Sequence, residues 1–369
     1  MRLTSSLPLV ALVTSALLAL SGCQPASYQE GKPPETLAGD RAELSDVTFL
    51  ENPRDYVGAS TALLGPLTLT PLVSKSAQEL PVIVESDELG EPLSVTVSST
   101  KRLLALDMSG SLAAMVWALG FGENLVGRDI STTFPGSDEL PVVTGSGHAI
   151  SPESVLALRP DLIITDGTIG PLDVVLQLRE AGIPVVFVRE TPGLSAPAAM
   201  ATSLGEILGV AELGVELATS LTASITSVGA VIAEKAPQAQ ADKLRMVFLY
   251  LRGGNGIYYL FGEESGSGDL IEALGGIDIA TETGWTGLRP MTDEALVAAN
   301  PDLILVMSEG LASVGGVEKL IEAKPALGLT RAGINRRFVD MADAQVLSFG
   351  PRTPEIMDAL ARAIYSPGQ

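Results

Sequence analysis

The chain has 369 residues and a formal net charge of −21, from 44 acidic and 23 basic side chains. That length predicts two packed lobes rather than one core, and so acidic a surface repels phosphate backbones and excludes nucleic acid as a partner. One Cys and one His in the whole chain exclude any site assembled from several thiolates or imidazoles.

Residues 1–23 read as an export signal: Arg2, an apolar run over 7–20, then Ser21, Gly22 and Cys23. The run is short for a membrane span and ends in small residues before a cleavage point. Leu20-Ser21-Gly22-Cys23 resembles the bacterial lipobox, in which the Cys is acylated and becomes the new amino terminus; the alternative is a structural Cys behind an uncleaved helix. Acyl chains would hold the protein at a membrane outside the cytoplasm without a spanning helix. Elsewhere, Gly, Pro and charged residues interrupt each apolar run, and none reads as a membrane span. Residues 24–100, rich in Pro, Gly, Ser and acids, read as a tether leading into an edge hairpin with strand-like pieces at 81–84 and 93–97.

From residue 101 strand and helix alternate, beginning with a β-like run at 103–106 and a helix-like run at 111–119, the order of doubly wound α/β units. An internal echo predicts two similar lobes, 101–194 and 238–369. Glu153-Ser-Val-Leu-Ala-Leu-Arg-Pro-Asp161-Leu-Ile-Ile recurs as Glu294-Ala-Leu-Val-Ala-Ala-Asn-Pro-Asp302-Leu-Ile-Leu. Each copy is a short helix, a turn where Pro withholds an amide hydrogen, and a strand apolar on both faces. A second echo links Ala118-Leu119-Gly120 to Ala273-Leu274-Gly275. Residues 195–237 carry apolar side chains at nearly helical spacing (Leu204, Ile207, Leu208, Leu213, Leu217, Leu221, Ile225). They predict a long rigid spine, as one helix or as two joined near Gly209.

His148 lies in Gly145-Ser-Gly-His148-Ala-Ile-Ser151-Pro-Glu153, between a strand-like piece at 141–143 and the first copy of the repeated helix. A loop at a strand's carboxyl end is where open α/β sheets bind ligands, and Ser151 suits the helix N-cap. The alternative is a solvent-facing loop His. In the second half, a strand over 244–251 ends in Tyr250-Leu-Arg252-Gly-Gly. Alternation sets Tyr250 and Arg252 on one face, and a neighbouring positive charge favours phenolate, a hard ligand for ferric iron. The pair reads equally as a strand-end Tyr and a surface Arg.

The lipobox, the Gly-Ser-Gly-His148 loop, the Tyr250-Leu-Arg252-Gly-Gly strand end and the segment Ser348-Phe-Gly-Pro-Arg352 together resemble the haem-binding lipoproteins of actinobacterial haem ABC importers, the HmuT type. These belong with the binding proteins for vitamin B12 and ferric siderophores. The likeness covers roughly residue 93 to the C-terminus. It implies a class III periplasmic binding protein fold, two α/β lobes on a rigid spine with haem b as transported ligand between them. By the same resemblance His148 and Tyr250 are axial ligands from opposite lobes, Arg252 supports the phenolate, and Met307 lines the pocket, although core packing is the commoner fate of a Met. Tyr258, Trp285 and Arg289 are weaker candidates for stacking on the porphyrin or meeting its propionates.

The implied partners are haem, an ABC permease with its ATPase, a surface haem receptor as donor, and the membrane through the lipid anchor. Relatives of this kind carry an acid on the first helix of each lobe for permease docking. Here the second-half position is Asp269, but the first-half position is Ala114, with Glu123 as a nearby acid. The competing reading keeps the fold and exchanges the cargo for a ferric siderophore or a cobalamin. With a single His and neither a Gly-x-Ser-x-Gly nor a GxGxxG motif, no catalytic set assembles, so the expectation is a binding protein and not an enzyme.

Overall fold

Strands form where the apolar runs lie, and in chain order they are β1 (Ser60–Ala62), β2 (Val82–Glu88), β3 (Glu91–Val97), β4 (Leu103–Leu106), β5 (Leu162–Thr165), β6 (Val185–Phe187), β7 (Arg245–Leu251), β8 (Tyr258–Leu260), β9 (Ile277–Asp278), β10 (Arg289–Pro290), β11 (Leu303–Met307) and β12 (Phe338–Met341). The computed structural model describes residues 41–65, 78–88, 91–189, 192–251 and 258–368. The export signal with Cys23, and Arg252 with the loop after it, lie outside the described residues.

Three parallel strands in the order β4-β5-β6 make the first lobe's sheet. Leu103, Ala105, Leu162 and Ile164 pack into one core, Leu104, Leu106, Ile163 and Val185 into another. A parallel sheet covered on both faces requires such unbroken apolar strands. The second lobe repeats the scheme as β7, β11 and β12, all parallel, with β8 and β10 antiparallel at one edge and β9 pairing β7. The fold is mixed α/β with parallel sheets.

The echoed sequences occupy matching places. Helix Pro152–Leu158 ends in Arg159 at φ 46° and helix Asp293–Ala299 in Asn300 at φ 43°. Pro160 or Pro301 follows each and forbids another turn. The amide of Asp161 then donates to the Arg102 carbonyl and that of Asp302 to the Arg245 carbonyl, both at 2.8 Å. β5 and β11 are thereby registered against the first strand of their own lobes. Gly120 and Gly275 share a second role, each in the left-handed region (φ 85° and 77°) where the lobe's first helix closes.

The connection is two helices, Ala196–Ile207 and Ala211–Lys235, with Gly209 at φ 69° between them. They pack closely at a glycine crossing, where a Cβ on Gly205 would stand 2.6 Å from the Gly214 Cα. Both helices reach both cores: Ala196 packs into the second and Met200, Ala201, Leu204 and Ile207 into the first, while along the longer helix Leu213, Leu217 and Leu221 enter the first and Ile225 and Ile232 the second. The 25 residues of the longer helix give a spine of about 37 Å at 1.5 Å per residue, shorter than an unbroken helix over 195–237 would be. It is long and apolar enough to cross a membrane by composition, contrary to the sequence expectation, but Leu213, Leu217, Leu221, Ile225 and Ile232 serve the two cores.

Residues 24–100 divide differently from the expected tether and hairpin. The hairpin forms, with β2 and β3 antiparallel from Val82↔Val97, and it covers the β6 edge, where the Phe187 amide donates to Ser86 Oγ at 2.9 Å. Residues 44–64, however, build into the second lobe. β1 extends its sheet beside β12, and Leu44, Ala62 and Leu64 join its core. Arg337, 1 % exposed, fastens this segment: its guanidinium donates to Ser60 Oγ at 2.9 Å and the Ala363 carbonyl at 3.0 Å, and stacks 4.7 Å from the Tyr56 ring centre. The polar composition concealed a strand only three residues long.

Candidate functional site between the lobes

His148 stands at the tip of a loop closed on both sides. The Gly145 amide donates to the Ala149 carbonyl at 2.8 Å, the Ser151 amide to the Val143 carbonyl at 2.9 Å, and the Ile150 amide to the Gly170 carbonyl at 2.8 Å. Gly147 (φ 73°) and His148 (φ 60°) are both left-handed, a conformation uncommon outside glycine though less so for His. Open space lies beside Gly147, and the imidazole is half-buried. The helix that follows is capped as its sequence predicts, Ser151 Oγ accepting from the Ser154 amide at 3.3 Å with Pro152 at the first position. Because Gly170 ends the loop that leaves β5, the bridge to Ala149 sets His148 at the carboxyl end of the first lobe's sheet.

Tyr250 occupies the corresponding end in the second lobe, next to last in β7. Its ladder partner in β8 is Tyr259, whose ring centre lies 6.4 Å away at an interplanar angle of 59°. Phe261 meets the Tyr250 ring edge-on at 6.0 Å and stacks on Phe248 at 4.9 Å. The β7–β11 register pairs Leu249 with Val306, so one step further Met307 stands beside Tyr250 on the same face. Tyr250, Tyr259 and Met307 are all half-buried. The structure thus brings Met307 to Tyr250.

Other candidates stand elsewhere. Tyr258 is corrected: it pairs with Leu251, faces the opposite side of the sheet and is 2 % exposed. Its hydroxyl donates to Asp293 at 2.7 Å, and burial with that carboxylate pushes its pKa far above the usual tyrosine value. Alternation along β8 makes this unavoidable once Tyr259 shares a face with Tyr250. Arg289 lies opposite Leu260, on the Tyr258 side, and stacks 5.0 Å from the Trp285 ring centre. Neither of these two is brought to the Tyr250 face. Asp269 is exposed in the first turn of helix Ser267–Ala273, whereas Ala114 is buried. Glu123 is exposed.

The lobes meet beyond β4 and β12, at a place lined by none of His148, Tyr250 and Met307. A crevice is lined by Ser109, Ser111 and Ser131 from the first lobe and by Ser348, Gly350 and Arg352 from the second. A Cβ on Gly350 would stand 2.9 Å from that of Ser111, so the segment 348–352 singled out in the sequence lies at the contact between lobes. A separate groove of about 850 Å³, between β2 and the turn at Gly209, holds none of the candidate residues.

Sequence reasoning passed over a group of carboxyls here. Asp107, directly after β4, accepts from the Ser111 and Leu112 amides at 2.9 and 3.1 Å and so closes the start of helix Ser111–Val116. Burial and the Asp107 carboxyl push Asp129 up to about 7, although it accepts from the Ser131 and Thr132 amides at 2.7 and 2.8 Å. Asp166, directly after β5, is pushed up to about 6 by burial and then by Asp107. Asp343, just past β12 in the other lobe, reaches about 6 chiefly through burial. In a chain with 44 acids only burial marks these out. Among the described residues no three His, Cys, Asp or Glu side chains form a metal-binding group.

Two α/β lobes joined by a helical connection, each with a candidate ligand toward the carboxyl end of its sheet, define a receptor of the class that clasps a small molecule between domains. The periplasmic binding protein family matches residues 108–344, and the chain belongs to it. The heme binding protein HmuT in its crystal structure is 35 % identical, with a TM-score of 0.78 over 85 % of this chain and 99 % of that one. An uncharacterised ABC transporter substrate-binding lipoprotein of Bacillus subtilis, YvrC, is 27 % identical over 79 % of this chain and 89 % of its own length. A cobalamin-binding protein of Halobacterium salinarum is 25 % identical over 73 % of this chain and 70 % of its own. Together with the fold, these place the chain among the class III binding proteins of ABC importers.

Proposed function

We propose that the protein captures haem b between its lobes outside the cytoplasm and delivers it to an ABC permease and its ATPase for iron acquisition. The observation that supports this reading is one side chain of a type able to bind iron toward the carboxyl end of each lobe's sheet, His148 on a closed loop and Tyr250 on an aromatic wall. Haem offers two axial positions on opposite faces, so one ligand per lobe lets closure of the lobes coincide with coordination. Burying the apolar macrocycle supplies most of the affinity, while the axial bonds fix orientation.

Arg252, outside the described residues, is assigned by the sequence pattern to support the Tyr250 phenolate. Cys23 carries the lipid anchor at the outer face of the cytoplasmic membrane, Asp269 docks to the permease, and a surface haem receptor acts as donor. The similarity to HmuT supports haem as cargo. The similarity to a cobalamin-binding protein favours a second reading, cobalamin as cargo. A ferric siderophore would fit the same fold.

Titrating the purified chain separately with ferric haem, cyanocobalamin and a ferric hydroxamate decides among them. A Soret band that saturates at one or two haems per chain, with no response to the other two ligands, is the expected result. Saturable binding of cyanocobalamin alone would replace this reading with the second.

A further inference from the structure

Three adjacent strands of the second lobe carry Tyr259 (β8), Tyr250 (β7) and Met307 (β11) side by side on one face. Neighbouring strands are about 4.8 Å apart, so the row covers on the order of 10 Å, comparable to a tetrapyrrole ring. It continues into packed aromatics on the same face: Phe261 and Phe248 stack beside it, and Phe261 meets Tyr250 edge-on. Tyr259 is half-buried, with one side of its ring toward Tyr250 and the antiparallel ladder fixing its backbone.

We propose that Tyr259 is a specificity-determining residue: its ring supports one side of a flat tetrapyrrole, Met307 supports the other, and Tyr250 reaches the metal between them. This rests on the haem reading of the cleft and adds to it a reason for choosing among ferric ligands. A ferric siderophore surrounds its iron with oxygen donors and presents no flat conjugated face, so it gains nothing from the row. A corrin is puckered and carries amide side chains on both faces, so it cannot lie flat on it. The ring of Tyr259 is the active part, since stacking uses its face and not the hydroxyl.

The probe that isolates this contact is metal-free protoporphyrin IX, which has the flat ring but no iron for Tyr250 or His148. Its binding to the purified chain is read by fluorescence, and ferric haem by the Soret band, for wild type, Tyr259→Phe, Tyr259→Leu and Tyr259→Ala. Tyr259→Ala and Tyr259→Leu are expected to weaken both ligands about tenfold, a loss of about 1.4 kcal/mol, and Tyr259→Phe less than about twofold. Haem that does bind to Tyr259→Ala is expected to keep the wild-type absorption maximum, because the axial ligands are untouched. The Leu variant keeps apolar bulk in the wall, so a folding defect in the Ala variant does not blur the outcome.

Wild-type affinity for protoporphyrin IX in both the Leu and Ala variants overturns the proposal. So does a shift of the haem spectrum in Tyr259→Ala to that of Tyr250→Phe, which would make Tyr259 part of the coordination. Failure of the underlying reading looks different, because the wild-type chain itself would then give no Soret band with haem.

Discussion

Tyr250 and Tyr259 face one another across the β7–β8 ladder with ring centres 6.4 Å apart, and this one pairing sets both rings on one face of the second lobe's sheet and Tyr258 on the other. Tyr258, one residue earlier, is turned into the core by the same alternation and bonds Asp293 at 2.7 Å. Tyr258→Phe is therefore expected to leave the spectrum of bound haem unchanged and to lower stability by about 1 kcal/mol through the lost hydrogen bond. Urea midpoints and a haem titration on the same variant check both halves. Unchanged stability with an altered spectrum would put Tyr258 in the pocket.

The attachment of residues 44–64 to the second lobe makes Arg337 a structural keystone. Arg337→Ala removes the donors that satisfy Ser60 Oγ and the carbonyls of Ala363 and Ile364. The expected cost is about 2–4 kcal/mol, measured by thermal melting. Deleting residues 41–64 is expected to cost more, since β1 and the side chains of Leu44, Ala62 and Leu64 go with it. A truncated chain as stable as the intact one would show the segment to be a dispensable tether.

Much of this architecture was legible in the sequence because it depends on local rules. The repeated Pro-Asp turns announced two lobes, since a proline after a short helix and before an apolar run leaves the chain few options. Ser151 capped its helix as its residue type and position predicted. What stayed hidden was non-local. β1 is three residues in polar surroundings, and only pairing with β12, more than 270 residues away, makes it a strand. That Tyr258 turns inward depended on the register of its strand against β7, a pairing the sequence did not reveal. Asp107, Asp129 and Asp166 are three acids among many until burial distinguishes them.

Asp166 and Asp343 set a pH dependence of definite sign. Both carboxyls rise from an ordinary value of 3.8 to about 6 in the folded chain, so the fold favours their neutral forms. Their contribution is fully present below about pH 4 and is lost as pH rises through about 6. Asp166→Asn, which still accepts from the Thr168 amide, is expected to add about 1–2 kcal/mol at pH 7.5 and almost nothing at pH 3.5. Urea unfolding at both values tests this. A variant that loses stability at pH 7.5 would show that the ionised carboxylate is required.

The glycine crossing between helices Ala196–Ile207 and Ala211–Lys235 leaves no room for a side chain, with the nearest atom 2.6 Å from a Cβ on Gly205. Gly205→Val is expected to force the helices apart and cost more than about 2 kcal/mol. A wild-type melting temperature would mean that the crossing is loosely packed.

On the proposed function, the lone imidazole of His148 in one lobe and the phenol of Tyr250 in the other hold the same iron. Visible absorption of ferric haem added to wild type, His148→Ala, Tyr250→Phe and the double variant tests it most directly. The expected result is a wild-type Soret band that shifts differently in each single variant and collapses toward free haem in the double variant. A double variant with the wild-type spectrum and affinity would contradict the claim and leave a two-lobed receptor whose cargo is held in another way.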